Sequence, residues 1–399
     1  MRRPTCLLFA LCLAACLLAG CAPQSEAPQP TATPAPTHTP VDEEPAEPAY
    51  ETLEGINPYT GLPQGENYPA GKRGVAVMIN NVKGALPQSG INSADLLYEM
   101  VTEGGVTRLM AVYRDYANMP VVGPIRSARD QHVQLMLPLE CLYAHIGGST
   151  YANVLLDVFH CPGYRSLDGK YRNFYWIDQE RRKTMDQDYC VYTDGPTLAA
   201  ALEKFGLDTD FGYEMPQTFR FVGADEPARV LEDGVAKQVY LRFSGYTDCE
   251  FRYDETTGRY AKWEFGEPQV DEGDGGAQYQ ADNLFILFTE ITKYPDGVLS
   301  QVDLSGQGYG YYFCDGRYER VRWMKGAASS PLRILRLDGT EEDVLSTRAR
   351  ATSRWWGWIS SNTSASMTSR SNEDTNWQEF KLYSPGPAVY NKRCHKRGR

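Results

Sequence analysis

Four side chains within the first 150 residues are of types that catalyse hydrolysis. Glu99 and Glu103 are two carboxylates, the pair of groups that glycosidases use in catalysis. Ser149 follows two glycines and His145 lies four residues before it, so a serine and its base could meet on one exposed turn. The chain has no Gly-x-Ser-x-Gly run and no Ser-x-x-Lys run, the local signatures of two classes of serine enzyme. These four residues are candidates for catalysis that no motif supports.

A predicted hairpin gives the two glutamates a structural role instead. Residues 96–103 and 106–113 have the composition of strands, and Gly104-Gly105 between them is typical of a two-residue turn. Such a turn would pair residue 103 with 106, 101 with 108 and 99 with 110. Arg108 would then lie diagonal to both glutamates on one face. The sequence therefore favours an ion pair over an acid/base pair.

A second pattern predicts a site for an anionic group. Ser127-Ala128-Arg129-Asp130 has the form of a capping box, which predicts a helix with Ser127 as its N-cap. Free N–H groups and the helix dipole attract an anion there, whereas Arg126 and Arg129 oppose the dipole. We expect Arg108, Arg126, Ser127 and Arg129 to form the site. The anion is either an internal carboxylate, from Asp130 or Glu103, or an external carboxylate or phosphate.

Metal and cofactor chemistry has little support. His132, His145 and His160 all precede residue 161, but none has a recognised metal-ligand spacing. The cysteines outside the first 21 residues and the last 53 are scattered singly and form no Cys-x-x-Cys pair: Cys141, Cys161, Cys190, Cys249 and Cys314. We expect most of them to be small buried residues, and we expect no metal and no cofactor.

The elements that must position these residues indicate an α/β (α+β) fold of two lobes. Short apolar strands at 75–79 and 142–146 alternate with helices predicted at 151–159 and 196–205. Beyond residue 212, alternating strands such as 249–253 are separated by Asp- and Gly-rich turns. The sequence predicts a layered α/β N-terminal lobe over 53–211 and a mostly antiparallel β C-terminal lobe over 212–346.

The N-terminus predicts export and a lipid anchor. Arg2 and Arg3 precede an apolar segment that is too short to cross a bilayer, and this segment ends in Leu18-Ala19-Gly20-Cys21. That run resembles the lipobox of bacterial lipoproteins, in which the cysteine becomes the lipidated first residue. Residues 22–52 are rich in Pro, Ala and Thr and predict a disordered tether. Cys21 is therefore the predicted lipidation site, at the extracytoplasmic face of the cell membrane.

Charge excludes some partners. The whole chain has a formal charge of -11, but its last 53 residues are basic. Without that segment and Arg2 and Arg3, 28 basic side chains face 48 acidic ones, which is a charge of -20. This balance argues against nucleic acid and against an anionic membrane surface as partners.

The sequence changes character after Ser346. Residues 347–399 show neither strand alternation nor helical periodicity and are rich in Ser, Thr, Asn and Arg. In a GC-rich gene, codons for residues 346–358 can be chosen so that the neighbouring frame reads Leu-Asn-Pro-Gly-Lys-Gly-Asn-Val-Ala-Val-Val-Gly-Val, a turn followed by a strand. We expect either a frameshift or a disordered basic extension.

Motifs spread over residues 57–149 carry a family resemblance. They are Asn57-Pro58-Tyr59-Thr60-Gly61-Leu62, Ala94-Asp95-Leu96-Leu97-Tyr98-Glu99-Met100, Glu103-Gly104-Gly105-Val106-Thr107-Arg108, Gly123-Pro124-Ile125-Arg126-Ser127-Ala128-Arg129 and His145-Ile146-Gly147-Gly148-Ser149. Together they resemble the YerB-like lipoproteins of Gram-positive bacteria, a family filed under a domain of unknown function. Residues from about 230 onward resemble its second domain, which usually ends in Leu-Asn-Pro-Gly-Lys and a valine-rich strand. The resemblance implies a layered α/β architecture and a lipid-anchored, extracytoplasmic protein, and it implies no activity.

Two functional classes fit these observations. The first is a non-catalytic envelope module that recognises a wall component, an anionic ligand or an envelope protein. The alternative is an enzyme that acts on envelope glycan or peptide through Glu99, Glu103, His145 or Ser149. Twenty-six tyrosines and seven tryptophans favour the first, because flat aromatic faces suit sugars.

Overall fold

The apolar runs of the first lobe form a mixed sheet. The strand Val75–Asn80 (β1) is fully buried and lies between two neighbours. It is antiparallel to Thr107–Tyr113 (β3) and parallel to Leu142–Ala144 (β4). Leu96–Val101 (β2) pairs with the other edge of β3. A strand that is covered on both faces is apolar throughout, which is why the sequence alone indicates a strand at 75–79. That prediction is confirmed.

The computed structural model describes 55–64, 69–160, 163–164, 173–210, 219–222, 229–340, 342–346, 354–361, 370–371 and 378–383. The predicted signal segment, the lipidation of Cys21, the tether and Cys161 lie outside the described residues. The described residues all belong to one compact unit, which spans Tyr50–Arg399. The domain boundary at residue 211 stays a prediction, so "first lobe" and "second lobe" denote the described residues before and after it.

Among the described residues, three α-helices lie in the first lobe: Asp130–Met136 (α1), Thr150–Val158 (α2) and Gly195–Phe205 (α3). The Asp194 carboxylate caps the start of α3, and Gly206, with φ of +59°, ends it in the left-handed conformation that glycine favours. The predicted helices at 151–159 and 196–205 are thus confirmed. Single helical turns lie at Lys83–Ala85, Ile91–Ser93, Glu103–Gly105, Tyr116–Asn118, Leu137–Leu139, Arg181–Lys183, Gln187–Tyr189 and Glu272–Asp274.

The remaining strands lie mostly in the second lobe. Three short strands belong to the first lobe: Gly163–Tyr164 (β5), Trp176–Ile177 (β6) and Val191–Tyr192 (β7). The others are Arg220–Phe221 (β8), Gly234–Val235 (β9), Gln238–Arg242 (β10), Asp248–Asp254 (β11), Arg259–Glu264 (β12), Glu267–Pro268 (β13), Val270–Asp271 (β14), Ala277–Gln278 (β15), Gln280–Thr289 (β16), Ile291–Lys293 (β17), Ser300–Val302 (β18), Gly306–Cys314 (β19), Arg317–Lys325 (β20), Arg333–Arg336 (β21), Leu345–Ser346 (β22), Arg354–Ser361 (β23), Arg370–Ser371 (β24) and Gln378–Tyr383 (β25). The second lobe is a curled, mostly antiparallel sheet, so the predicted fold class is confirmed.

One sheet runs through both lobes. β16, β19, β20 and β21 follow one another antiparallel, and β10 to β12 join the same sheet through β16. β23 lies between β2 and β16 and runs parallel to both. Of residues 347–399 the structure describes three strands, β23, β24 and β25, and the out-of-frame or disordered tail stays a prediction.

Two hydrophobic clusters cover the two faces of this sheet. One contains Leu97 and Leu109 from the first lobe and Leu241 and Ile286 from the second. The other contains Met78 and Tyr98 together with Phe285, Tyr312 and Trp323. Each cluster draws on both lobes, so the lobes bury apolar surface against common neighbours.

The hairpin register differs by one residue from the predicted one. Residue 101 pairs with 107 and residue 99 with 109, because the turn takes three residues, Glu103–Gly105. Gly104 and Gly105 have φ of +70° and +78°, which other residues rarely adopt. A one-residue shift exchanges the faces of a strand, so Glu99 lies on the face opposite to Arg108.

Cys141, Cys190, Cys249 and Cys314 are buried thiols, as expected. Within the described part of the chain, no helix is long and apolar enough to cross a membrane.

Candidate functional site

The turn between β2 and β3 carries a glutamate that binds two arginines. Glu103 Oε1 accepts a hydrogen bond from Arg108 Nη2 at 3.0 Å, and its Oε2 accepts one from Arg129 Nε at 2.8 Å. Arg129 Nη2 also donates to Oε1. Backbone carbonyls take further donors, since Arg108 Nη1 lies 2.9 Å from the oxygen of Ser127 and Arg129 Nη1 lies 2.7 Å from that of Ala128. The two guanidinium groups are thus bonded within the protein.

These contacts shift the pKa values of Glu103 and Arg108. Burial on its own would raise the pKa of Glu103, but the bond from Arg129 and the charge of Arg108 hold it at about 2. Burial, and then the charge of Arg129, lower the pKa of Arg108 to about 10. At neutral pH Glu103 and Arg108 are therefore ionised, and a carboxylate without a proton cannot serve as a general acid.

Ser127 is not the cap of the following helix, which corrects the capping-box prediction. α1 begins at Asp130, Arg129 precedes it, and no side chain caps it. Residues 126–128 are instead held to neighbouring segments, because Arg126 N donates to Met78 O and Ala128 N to Gly147 O. Arg126 forms an ion pair with Asp188. A ligand-binding role for Arg108, Arg126, Ser127 and Arg129 stays a prediction.

Glu99 meets a different cation, inside the protein. Lys262 Nζ donates to Glu99 Oε2 at 2.7 Å and to Glu264 Oε2 at 2.8 Å, and all three side chains are fully buried. Asn81 Nδ2 reaches Oε1 of both glutamates, at 3.0 and 3.2 Å, and Thr107 Oγ1 donates to Glu99 at 2.7 Å. One carboxylate comes from each lobe, so this charge cluster ties β2 to β12.

Burial dominates the electrostatics of the charge cluster. It raises the pKa of Glu264 to about 8, and the neighbouring charge of Glu99 adds to the effect. The two carboxylates keep the pKa of Lys262 above its usual range although burial opposes them. Cys249, Glu99 and Glu264 offer ligand atoms within 4.8 Å of one another, as a metal site would. The Lys262 ammonium already bonds both carboxylates, so it fills the role that a metal cation would have there.

Sequence reasoning missed Lys262 and Glu264. A signal was present, because the two residues are two apart in a strand and therefore share a face with Tyr260. The local pattern does not reveal which residue contacts Lys262 on that face. This residue is Glu99, which lies 163 residues away in β2.

His145 and Ser149 both have structural contacts. His145 is fully buried, its Nδ1 lies 2.7 Å from the Gly147 carbonyl oxygen, and its own carbonyl accepts the Tyr175 hydroxyl at 3.1 Å. Ser149 is the N-cap of α2, and its Oγ accepts the Ala152 N–H at 3.1 Å. A buried base and a capping hydroxyl are poorly placed for attack on a large substrate.

An open cleft lies elsewhere, on the sheet of the second lobe. It has a volume of about 670 Å³ and is bordered by β16, β19 and β20. Tyr309, Tyr311 and Phe288 supply aromatic surface, and Tyr309 is 68% exposed. Polar side chains at its border are Glu290, Asp303, Ser305, Gln307 and Arg320. None of the predicted site residues borders this cleft.

Two family models match the chain. Residues 59–208 match the model described as Protein of unknown function (DUF3048) N-terminal domain, and residues 239–345 match the model of its C-terminal domain. The chain belongs to the DUF3048 family. The resemblance indicated by the motifs at 57–149 is thereby confirmed.

Relatives of this DUF3048 chain agree with that assignment. "Putative lipoprotein YerB" of Bacillus subtilis (strain 168) is 28% identical over 267 residues, which cover 67% of this chain and 77% of the relative. A crystal structure of the YerB protein from Bacillus subtilis matches with a TM-score of 0.63 at 22% identity, over 76% of this chain and 96% of that one. The structural likeness shows that the two share a fold.

We expect the pH dependence of stability to reveal Glu264. A glutamate in an unfolded chain has a pKa of about 4.3, whereas in the folded DUF3048 protein the pKa is about 8. The folded state therefore binds the extra proton, and its advantage is complete at low pH and lost as the pH rises through that interval. Glu264→Gln should flatten the decline in the free energy of unfolding between these two pKa values, measured by urea titration.

Glu267→Gln is the matched control, because Glu267 is exposed and lies three residues further on. Its pH profile should follow that of the wild type. If Glu264→Gln has the wild-type profile as well, burial does not raise the pKa of Glu264.

Proposed function

We propose that this protein is a lipid-anchored, non-catalytic binding module of the cell envelope. One observation carries the proposal: the side chains best suited to catalysis are engaged inside the protein. Glu99 forms an ion pair with Lys262, Glu103 forms ion pairs with two arginines, and Ser149 caps α2. A catalytic side chain must be accessible to its substrate. Of these candidates only Glu103 has as much as 25% of its side chain exposed.

Location supports the same proposal. The lipobox-like run ending at Cys21 and the Pro-rich residues 22–52 suit an anchor and a spacer on the extracytoplasmic face of the membrane. The relative named as a lipoprotein fits this address. The partner would be a wall component, an anionic ligand or another envelope protein.

Incubation with purified cell-wall sacculi tests binding against catalysis. The protein should be retained saturably, and no soluble glycan or peptide should appear over hours. Release of fragments that stops in Ser149→Ala, Glu99→Gln or Glu103→Gln would support the alternative of an envelope hydrolase that uses these residues or His145. Absence of both retention and release would contradict binding to the wall and leave an envelope protein as the partner.

The anchor has its own test. Cys21→Ala should release the protein into the medium, because the variant lacks the lipid. Only the apolar export signal could then attach it to the membrane. Cys16→Ala, a cysteine inside the apolar segment, is the matched control and should leave the protein in the membrane fraction. A Cys21→Ala protein that sediments with membranes as fully as the control would contradict lipidation.

We further propose that the reading frame changes at Ser346. β23 occupies a place between β2 and β16 where both neighbours are apolar strands. The alternative frame would supply Val-Ala-Val-Val-Gly-Val over residues 353–358, which suits a strand paired on both sides better than the Ser- and Arg-containing sequence does. Resequencing the gene around this codon should reveal an inserted or deleted base, and an unchanged frame would establish a native extension.

A further inference from the structure

We propose that the cleft between β16, β19 and β20 binds an uncharged glycan whose sugar rings stack on Tyr309 and Tyr311. The proposal rests on the binding function proposed above and gives it a site and a ligand class. A pyranose ring has an apolar face of C–H groups and an edge of hydroxyls. A matching site needs exposed aromatic faces surrounded by hydrogen-bonding groups.

The aromatic faces follow from the sequence of β19. Glycines alternate with Gln307, Tyr309 and Tyr311 in this strand, so the three larger side chains share one face. Two residues of a strand span about 6.8 Å, which places the tyrosines side by side. On the other face, a Cβ at Gly310 would lie 2.6 Å from the carbonyl oxygen of Ile286. The close approach of β16 therefore requires the glycine, and the aromatic residues face the cleft.

The two tyrosines are held differently. The Tyr311 ring meets Phe288 edge-on with 6.1 Å between ring centroids, and lies equally far from Tyr318. These contacts fix its orientation before any ligand arrives. Tyr309 is 68% exposed and is the larger free aromatic surface at the cleft.

Two polar side chains at the border of the cleft are oriented by hydrogen bonds to neighbouring residues. Gln307 Oε1 accepts a bond from Arg322 Nη1 at 3.1 Å, which leaves its Nε2 as a donor. Asp303 Oδ1 accepts bonds from the Ser305 amide and hydroxyl at 3.0 and 2.9 Å. Its Oδ2 takes no bond from the described residues. One preset donor and one preset acceptor thus lie beside the aromatic faces, as recognition of hydroxyl and amide groups requires.

Charge narrows the ligand class. Glu290 and Asp303 contribute two negative charges to the cleft, which balance the positive charges of Arg320 and of the Arg322 that bonds Gln307, and Arg320 is shared with Asp233 at 3.2 Å. A phosphate or carboxylate ligand would therefore gain no net attraction there. Strand addition by a peptide is excluded as well, because β19 is paired along both edges, with β16 and β20.

Calorimetric titration of the full chain tests the site. The probes are the tetramers of β-1,4-linked N-acetylglucosamine and of β-1,4-linked glucose, both uncharged, and polyglycerol phosphate as the anionic probe. We expect at least one neutral tetramer to bind, and Tyr309→Ala to weaken that binding at least tenfold. The melting temperature should be unchanged, because Tyr309 is exposed.

Tyr246→Ala is the matched control, since Tyr246 is 76% exposed and lies outside the cleft. It should bind as the wild type does. The proposal is overturned if neither neutral tetramer binds, if polyglycerol phosphate binds more tightly than both, or if Tyr309→Ala and Tyr246→Ala bind alike. Retention of Tyr309→Ala on sacculi at the wild-type level would overturn the cleft alone, whereas absence of wild-type retention would contradict binding to the wall, the part of the proposed function on which the cleft depends. Fragment release in the titration cell would assign the cleft to an enzyme.

Discussion

A lysine with no access to water constrains the whole structure. An isolated ammonium group costs several kcal/mol to bury, so Lys262 must be neutralised wherever it folds. The pKa of Glu264 in its own strand is raised to about 8, so at neutral pH Glu264 does not supply a full negative charge, and the second carboxyl group, Glu99, comes from a strand of the other lobe. The second lobe therefore completes its electrostatics only when β2 is in place. This requirement, together with hydrophobic clusters that draw on both lobes, favours cooperative folding of the two.

The same requirement engages Glu99, one of the predicted candidates for catalysis, inside the protein. Glu99 and Glu103 are four residues apart, but Glu99 lies in β2 and Glu103 in the turn that follows it, and they contact separate cations. The pair of Glu99 with Lys262 lies in the interior, and the pair of Glu103 with Arg129 holds the segment before α1. In the second lobe, aromatic side chains of the described residues border an open cleft.

Local patterns were sufficient to predict the elements, and non-local contacts were not predictable. β1 and α3 follow from an apolar run and from a helix with recognisable ends. The hairpin was predicted, but its register depended on whether Gly104 and Gly105 make a two-residue turn or belong to a three-residue one. The partner of Glu99 is 163 residues away, and the cleft depends on how a sheet curls, so neither is present in any short window of sequence.

The central claim is that Glu99 and Lys262 couple the lobes through one buried charge pair. A double-mutant cycle measures this directly, with Glu99→Gln, Lys262→Met and the double variant unfolded in urea at constant pH. A single unfolding transition and a coupling energy of at least about 1.5 kcal/mol are predicted, because each single variant strands a buried polar group that the double variant removes. Effects that add within about 0.5 kcal/mol, or separate transitions for the two lobes, would contradict the account.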